Sequence, residues 1–403
     1  MWAPVLRKIE STLSSWSNQS LSFSGKSTVI NTLVVSRIWY LASVFCIPDS
    51  IISSMNRAIF SFFWSGKMHL VNQATLQQPV LNGGFGVCNI RLKMLALHAQ
   101  WVRRFVAPTA GKWSSFFHHY LRKVFLAEPV LRVFGFSELS NRTLRRLPSF
   151  YASVLSAWLR INGFRDSNCN LLAQLLPNSP PTPVHLLTVK VAYHSLMISC
   201  FVPPVCEERF KHLGISSWSL VWSSIHRCKF IRSTLDTAWK IAHGVIPTAD
   251  RLIHFQMNVS PRCFCQENES LEHLFHSCNI TSEVLIWFSN LLYSHRNNAP
   301  LVSIRHVLVG FERTLTIPAG FQVLLHVIKH HIWLHRNSIR FDLSCPDSIL
   351  LLNHIKSTFK FALRVQFRHT PISQFTAVWL ASGIFGYVSP DGELQFAACL
   401  QNI

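Results

Sequence analysis

The chain has 403 residues, of which 49% are hydrophobic and only 14% are charged. This length and apolar content allow two or three domains with substantial cores and exclude a disordered chain. Lys and Arg total 38 against 18 Asp and Glu, a formal net charge of +20, which predicts a polyanionic partner, nucleic acid before membrane.

Cysteine usage and the N-terminal segment indicate an intracellular protein, nuclear or cytoplasmic. The 11 cysteines are odd in number and scattered outside one cluster, so we expect no disulfide framework. The first residues contain no apolar stretch of the kind that a secretory signal needs. The 20 histidines would gain charge on mild acidification, which predicts tighter polyanion binding below neutral pH.

Residues 1–110 are predicted to form a compact, mostly helical unit. An apolar helix begins near Thr28 and ends near Pro48, because proline cannot continue a helix. A second helix, Ile51–Trp64, carries apolar side chains at steps of three and four residues, and a third covers Ile90–Phe105.

Two stretches of this unit invite other interpretations. Val29–Pro48 has almost the length of a membrane span, but Arg37 lies in its middle, which favours a buried helix. The glycine-rich stretch Asn82–Gly86 lacks the glycine spacing of a dinucleotide fingerprint and is not followed by Gly-Lys-Ser/Thr. It therefore indicates a structural turn rather than a phosphate-binding loop.

The middle and the end of the chain have weaker patterns. Residues 111–215 alternate apolar and basic segments, as in amphipathic helices, and contain a proline-rich linker near 177–184. Residues 301–403 are predicted to be a helical, basic tail with helices at Ala319–Asn337 and Ser348–Phe367. Its cations and histidines favour a solvated or RNA-facing strip: Lys329, His330, His331, His335, Arg336 and Arg340.

Residues 216–300 surround a cysteine cluster. Helices are predicted at Ser216–His226 and Phe230–His243, and Thr248 is placed to cap a further short helix. Five cations here are interleaved with tryptophan and phenylalanine, a composition suited to phosphates and unstacked bases. These candidate nucleic-acid-binding residues are Arg227, Lys229, Arg232, Lys240 and Arg251. The alternative is a solvated helix face with core aromatic residues.

The most informative motif is a Cys-x-Cys-x7-His-x4-Cys series formed by Cys263, Cys265, His273 and Cys278. Three thiols and one imidazole are a tetrahedral ligand set for Zn²⁺. Because His273 and Cys278 do not share a helical face, the helix that carries the histidine should end near Ser277.

The same stretch leaves alternatives open. Only Phe264 separates the first two cysteines, so free or buried cysteines beside a surface histidine are the competing interpretation, and His276 is the substitute ligand. Asn268 or Ser270 can cap the helix, with Glu269 in its first turn, where the helix dipole favours an anion.

Several segments, taken in order, resemble the C-terminal portion of non-LTR (LINE-type) retrotransposon reverse transcriptases. They are LSFSGKSTVINTLVVSRIWY, IPDSII, FFWSGK, GGFGV, WVRRF, TAWKIAHGVIPTADRL, CFCQENESLEHLFHSC and IWLHRNSIRF. The order of these segments, more than any one of them, makes the resemblance specific. Residues 111–215 and 380–403 contribute little to it.

The resemblance implies four regions. They are a thumb-like C-terminal part of a reverse transcriptase (1–110), a helical connector (111–215), the reverse-transcriptase zinc-binding domain (216–300) and the helical basic tail (301–403). It also implies that the cysteine and histidine cluster holds a structural zinc ion. Full-length relatives would be RNA-directed DNA polymerases, in which this region is expected to hold RNA template or target DNA.

The catalytic carboxylates of a polymerase are missing. Two-metal nucleotidyl transfer needs carboxylates that share Mg²⁺, yet no two aspartates are adjacent and the only adjacent acidic pair is Glu207-Glu208. We therefore expect a truncated, mainly α-helical, nucleic-acid-binding zinc protein that is not an enzyme. Its expected partners are RNA or target DNA and the catalytic part of a retrotransposon protein, with no membrane. The alternatives are a zinc-stabilised protein-interaction scaffold and a membrane-associated helical protein.

Overall fold

The computed structural model is mainly α-helical, as predicted. It describes residues 1–107, 111–125, 130–135, 138–168, 170–227, 232–296, 302–311, 317–342 and 344–401. The chain divides into two compact units. The first comprises Met1–Gln78 with Phe85–Val202, and the second comprises Pro79–Gly84 with Pro203–Ile403.

The first unit combines helices with one small sheet. Its described α-helices are α1 (Trp2–Ser17), α2 (Phe23–Val29), α3 (Trp39–Ala42), α4 (Asp49–Phe63), α5 (Gln73–Gln77), α6 (Ile90–Val106), α7 (Trp113–Phe125), α8 (Asn141–Leu144), α9 (Ser149–Arg160) and α10 (Val189–Ser199). Strands β1 (Gly163–Arg165), β2 (Leu171–Ala173) and β3 (Thr182–Pro183) pair antiparallel in that order. Shorter turns cover Ile30–Val34 (π-helical), Val35–Arg37, Val130–Gly135 and Val184–Leu186 (3-10). Helix α6 packs against α9 and α10, and β3 comes from the proline-rich stretch.

One predicted helix of this unit is interrupted. The apolar segment expected to be helical from Thr28 to Pro48 leaves α2 at Val29, widens into the π-helical turn and continues through a 3-10 turn into α3. The hydroxyl groups of Thr28 and Thr32 donate to carbonyls four residues earlier, a bond that competes with regular helix geometry. Among the described helices, none is long and apolar enough to cross a membrane.

The glycine-rich stretch is a structural turn, as predicted. The Ser27 hydroxyl donates to the Phe85 carbonyl at 2.7 Å, and the Asn31 amide donates to the Gly86 carbonyl at 2.8 Å. Asn31 also accepts the Cys88 N–H at 3.0 Å. The N–H groups that a phosphate-binding loop would need free are also used, because the Phe85 N–H donates to the Leu76 carbonyl at 3.1 Å and the Gly86 N–H donates to the Gln78 carbonyl at 2.9 Å.

The second unit is built around one long buried helix. Its described α-helices are α11 (Val205–Arg209), α12 (Trp218–Arg227), α13 (Arg232–Ala242), α14 (Ala249–His254), α15 (Asn279–His295), α16 (Ile304–Val309), α17 (Ala319–Phe341), α18 (Ser348–His369) and α19 (Ile372–Trp379). Strands β4 (Gly386–Val388) and β5 (Leu394–Phe396) pair antiparallel. Shorter turns cover Val80–Asn82, Lys211–Leu213, Ala381–Gly383 and Ala398–Leu400 (3-10) and His273–Ser277 (π-helical). Helix α17 packs against α13, α15, α18 and α19.

The prediction of a solvated or RNA-facing strip on α17 is wrong. Lys329 is 0% exposed, Arg336 is 2% exposed and His335 is 9% exposed, because neighbouring helices cover them. Polar atoms of this strip have partners inside the unit. The Lys329 ammonium donates to the Leu308 carbonyl at 3.4 Å, and Nε2 of His331, another residue of the strip, lies 2.7 Å from the Thr358 hydroxyl. Buried polar groups that are paired in this way need no solvent.

Gly83 fixes the segment Pro79–Gly84 in the second unit. Gly83 has φ +80°, and its carbonyl accepts from the Trp239 indole and the His243 imidazole, both at 2.9 Å. A Cβ on Gly83 would lie 2.9 Å from Cε2 of Trp222. Glycine is therefore required here both for its backbone conformation and for the close approach of the ring.

Candidate metal centre and nearby basic residues

A tight turn positions the first two cysteines. The Cys263 N–H donates to the Glu267 carbonyl at 2.8 Å, and the Gln266 N–H donates to the Cys263 carbonyl at 3.0 Å. Gln266 adopts a left-handed conformation with φ +72°. The turn brings the Cys263 and Cys265 thiols to one place although a single residue separates them.

A widened helical turn positions the other two ligands. The Ser270 hydroxyl accepts the His273 N–H at 3.0 Å and so caps the start of this helix. The helix ends in the π-helical turn, in which the Cys278 N–H donates to the His273 carbonyl at 2.8 Å. The prediction that the helix ends near Ser277 is confirmed. The extra residue of the π-helical turn allows His273 and Cys278 to face the same point.

The four side chains form a cluster that is able to hold a metal ion. One ligand atom from each of Cys263, Cys265, His273 and Cys278 lies within 4.8 Å of every other. Tetrahedral zinc with sulfur at about 2.3 Å and nitrogen at about 2.0 Å needs ligand separations of roughly 3.5–3.8 Å, so the arrangement fits Zn²⁺. Nε2 of His273 lies 3.1 Å from Sγ of Cys265, whereas Nε2 of His276 lies 3.3 Å from the Val302 carbonyl.

The surroundings favour thiolate at Cys278. A hydrogen bond with the Cys263 thiol lowers the pKa of Cys278, and the N–H groups of Thr281 and Ile280 at the start of α15 lower it further, while burial opposes them. The pKa of Cys263 is raised by the same contact with Cys278 and by burial. Burial also raises the pKa of Cys265. A thiolate at a helix N-terminus is a suitable zinc ligand.

A buried ion pair anchors the metal-binding segment to α17. Glu269, which was predicted to lie in the first turn of the helix, instead precedes the capping residue Ser270, is 3% exposed and lies within a ring of donors. Its Oε2 accepts from Nε of Arg336 at 3.0 Å, and its Oε1 accepts from Nη1 of Arg340 at 3.1 Å. The Arg336 guanidinium also lies 5.0 Å from the Trp333 ring centre. The IWLHRNSIRF stretch therefore serves packing within the unit.

The same glutamate holds α14. Oε1 of Glu269 accepts the Ala249 N–H at 2.8 Å, and the Glu269 carbonyl accepts the Asp250 N–H at 3.1 Å. Thr248, the predicted cap, makes no cap bond, because its hydroxyl donates to Asp250 at 2.5 Å. The helix that carries Arg251 is thus tied to the metal-binding segment by a residue within that segment.

The predicted nucleic-acid-binding residues that the structure describes lie at separate places in the second unit. Arg232 is exposed at the start of α13, and Lys240 lies half-buried at its end, where its charge adds to the burial that lowers the pKa of His330. The two are separated by roughly 12 Å of helix rise. Arg251 lies half-buried on α14, where its Nη1 donates to the Gly244 carbonyl at 3.0 Å. Lys229 and the Arg227 side chain lie outside the described residues.

A second cysteine–histidine pair lies in the core of the same unit. Sγ of Cys206 is 3.6 Å from Nδ1 of His243. Burial raises the pKa of Cys206 to about 12 and lowers the pKa of His243 to about 4. Both groups are therefore neutral at pH 7, so the pair lacks the thiolate that a cysteine nucleophile requires.

Comparisons with known proteins agree with the resemblance. Residues 188–287 match the family model described as zinc-binding in reverse transcriptase. The chain is 31% identical over 156 residues to "Transposon TX1 uncharacterized 149 kDa protein" of Xenopus laevis, which covers 36% of this chain and 11% of that protein. It is 28% identical over 88 residues to a "Putative ribonuclease H protein" of Arabidopsis thaliana, which covers 21% of this chain and 14% of that protein.

The chain thus spans a small part of each of these two relatives. Together the matches support a region derived from a non-LTR retrotransposon that contains a reverse-transcriptase zinc-binding domain. Zinc is the cofactor of that domain, and the Cys-Cys-His-Cys cluster lies within the matched residues.

Proposed function

We propose that this region binds nucleic acid, RNA or target DNA, and that a zinc ion held by Cys263, Cys265, His273 and Cys278 has a structural role. The observation that carries the proposal is the assembled ligand cluster inside the segment matched to a zinc-binding reverse-transcriptase family. The formal net charge of +20 supports a polyanionic partner, since Lys and Arg neutralise phosphates and release counterions.

The mechanism follows from how the cluster is connected. When bound by these four side chains, zinc would cross-link the cysteine turn to the π-helical turn. Glu269 lies between these two turns, fixes α14 through two backbone N–H groups and binds Arg336 on α17. Glu269 thereby holds the helix that carries Arg251 in place, and phosphate contacts from Arg251, Arg232 and Lys240 provide affinity.

Arg227 and Lys229 complete the proposed contact set on sequence grounds. We also propose the domain roles implied by the resemblance: thumb-like residues 1–110, a connector at 111–215, the zinc-binding domain at 216–300 and a basic helical tail at 301–403. Without paired catalytic carboxylates, this region binds and positions nucleic acid while the catalytic part of a retrotransposon protein acts on it. Primer-extension activity of the purified chain would contradict this division of labour.

Fluorescence anisotropy with labelled single-stranded RNA and duplex DNA tests the proposal. The affinity should fall steeply when the salt concentration rises from about 50 to about 200 mM, because counterion release dominates binding. Affinity should also fall after zinc chelation and in Cys278→Ser. An affinity that is equal at both salt concentrations contradicts the electrostatic account. If Arg232→Glu with Lys240→Glu leaves binding untouched, the protein-interaction scaffold is favoured instead.

A further inference from the structure

A pocket of about 450 Å³ opens in the second unit beside the metal-binding segment. Its lining includes Gly244, Arg209 of α11 and Arg251 of α14, with His212 and His254 close by. Ser270, Leu271 and Glu272, which lead into His273, form another part of its wall. The pocket falls within the size range of small-ligand sites.

Two guanidinium groups converge in this pocket. Nη1 of Arg251 donates to the Gly244 carbonyl at 3.0 Å, and Nη1 of Arg209 donates to the same oxygen. Each guanidinium carries five N–H donors, so most of them stay available to a ligand. Arg251 is also held over the Phe255 ring, 5.2 Å from its centre.

The positive charge of this pair is not balanced by an ion pair. Within the described residues, neither Arg209 nor Arg251 has a carboxylate oxygen within 4.0 Å, in contrast to Arg336 and Arg340, which share Glu269. Asp250 lines the pocket, but its Oδ1 already accepts from the Thr248 hydroxyl and the Arg251 backbone N–H. Burial, followed by the charge of Arg209, lowers the pKa of Arg251, and the Asp250 carboxylate opposes this shift without forming an ion pair with Arg251.

The backbone is shaped to keep the two cations together. Gly244 has φ +63°, and a Cβ there would lie 2.6 Å from Nη1 of Arg209. Only glycine therefore lets this guanidinium lie against the chain at that point. Glu272, a second acidic residue of the lining, is largely exposed, and its Oε1 lies 4.0 Å from Nε2 of His212 rather than beside either arginine.

We infer that this pocket is a binding site for a phosphate group of a nucleic acid, held by Arg209 and Arg251. Two converging guanidinium groups with free N–H donors match a phosphate in charge and geometry, because each can donate in a bidentate manner. The inference rests on the proposed nucleic-acid binding and assigns it a specific subsite. The phosphate is either the 5′-terminal group of a strand or an internal phosphodiester.

The test uses the full chain with zinc and a labelled single-stranded oligonucleotide, in 5′-phosphorylated and 5′-hydroxyl forms. Arg209→Gln with Arg251→Gln should weaken binding by about tenfold or more and should reduce the slope of log affinity against log salt by about one to two. Arg368→Gln is the matched control, since Arg368 is an exposed arginine of the same unit outside the pocket, and it should change affinity by less than about twofold. Zinc content and circular dichroism verify that the variants are folded.

The two oligonucleotide forms identify the source of the phosphate. If wild type prefers the 5′-phosphorylated form and the double variant loses that preference, the pocket holds a terminal phosphate. If wild type binds both forms equally and the double variant weakens both, it holds an internal phosphodiester. A folded double variant that binds as the Arg368→Gln control does overturns the phosphate site and leaves the proposed function standing. A wild-type chain with no affinity for either form overturns both.

Discussion

Removing the charge of Glu269 should be among the most damaging single changes in the second unit. Glu269 is 3% exposed and its partner Arg336 is 2% exposed, so Glu269→Gln leaves a buried guanidinium without its counter-charge. Breaking a buried pair in this way costs about 3–5 kcal/mol. The amide introduced by Glu269→Gln would retain one acceptor for the Ala249 N–H, so the cost belongs mainly to the unpaired charge.

The assay is chemical denaturation of the zinc-loaded chain followed by tryptophan fluorescence. Glu208→Gln is the matched control, because Glu208 pairs with Lys211 in the same unit while the two side chains are 81% and 76% exposed. That surface pair should contribute less than about 1 kcal/mol. Glu269→Gln with Arg336→Gln should recover part of the loss, since the buried Arg336 charge is removed together with its counter-charge. A loss for Glu269→Gln no larger than that of the control would refute the buried ion pair.

Three further predictions concern single side chains. His98→Asn should make the first unit less sensitive to acid. Burial lowers the pKa of His98 to about 4, so the folded state keeps this side chain neutral while the unfolded state is protonated as the pH falls below about 6.5. The wild type therefore loses stability over this range. Between pH 7.5 and 5.5 the wild type should lose roughly 1.4 kcal/mol more than the variant in chemical denaturation, and equal losses would contradict the assignment. His273→Ala should lower bound zinc whereas His276→Ala should not, as measured by elemental analysis; the reverse result would make His276 the ligand. Gly83→Ala should cost at least about 1 kcal/mol more than Gly214→Ala in thermal unfolding, because both glycines have positive φ but only the first meets a tryptophan ring, and equal costs would refute that contact.

The sequence predicted best those elements whose bounds depend on the spacing of neighbouring residues. The helices at Ile51–Trp64 and Ile90–Phe105 appear within two residues of their predicted bounds, as α4 and α6. The end of the short helix before Cys278 was predictable for the same reason, since two ligands five residues apart cannot share a regular helical face. The residue pattern does not, however, predict the π-helical turn that brings these two ligands together.

The features that sequence misjudged depend on distant partners. Glu269 and Arg336 are 67 positions apart, so nothing local distinguishes them from solvated charges. The same holds for Lys329 on α17, which appeared to belong to an exposed strip. Burial also lowers the pKa of His226, His243 and other histidines to about 4, so these residues do not gain charge on mild acidification as the sequence suggested. A polar residue type therefore predicts an exposed side chain only where no residue distant in the sequence pairs with it.

Bound zinc per chain tests the central claim most directly. Elemental analysis of the purified wild type, of Cys278→Ser and of Cys345→Ser separates a ligand from an exposed free cysteine of the same unit. We expect a stoichiometry near one in the wild type and in Cys345→Ser, and a markedly lower value in Cys278→Ser. A value near zero in the wild type, or equal values in all three proteins, would contradict a zinc centre formed by Cys263, Cys265, His273 and Cys278.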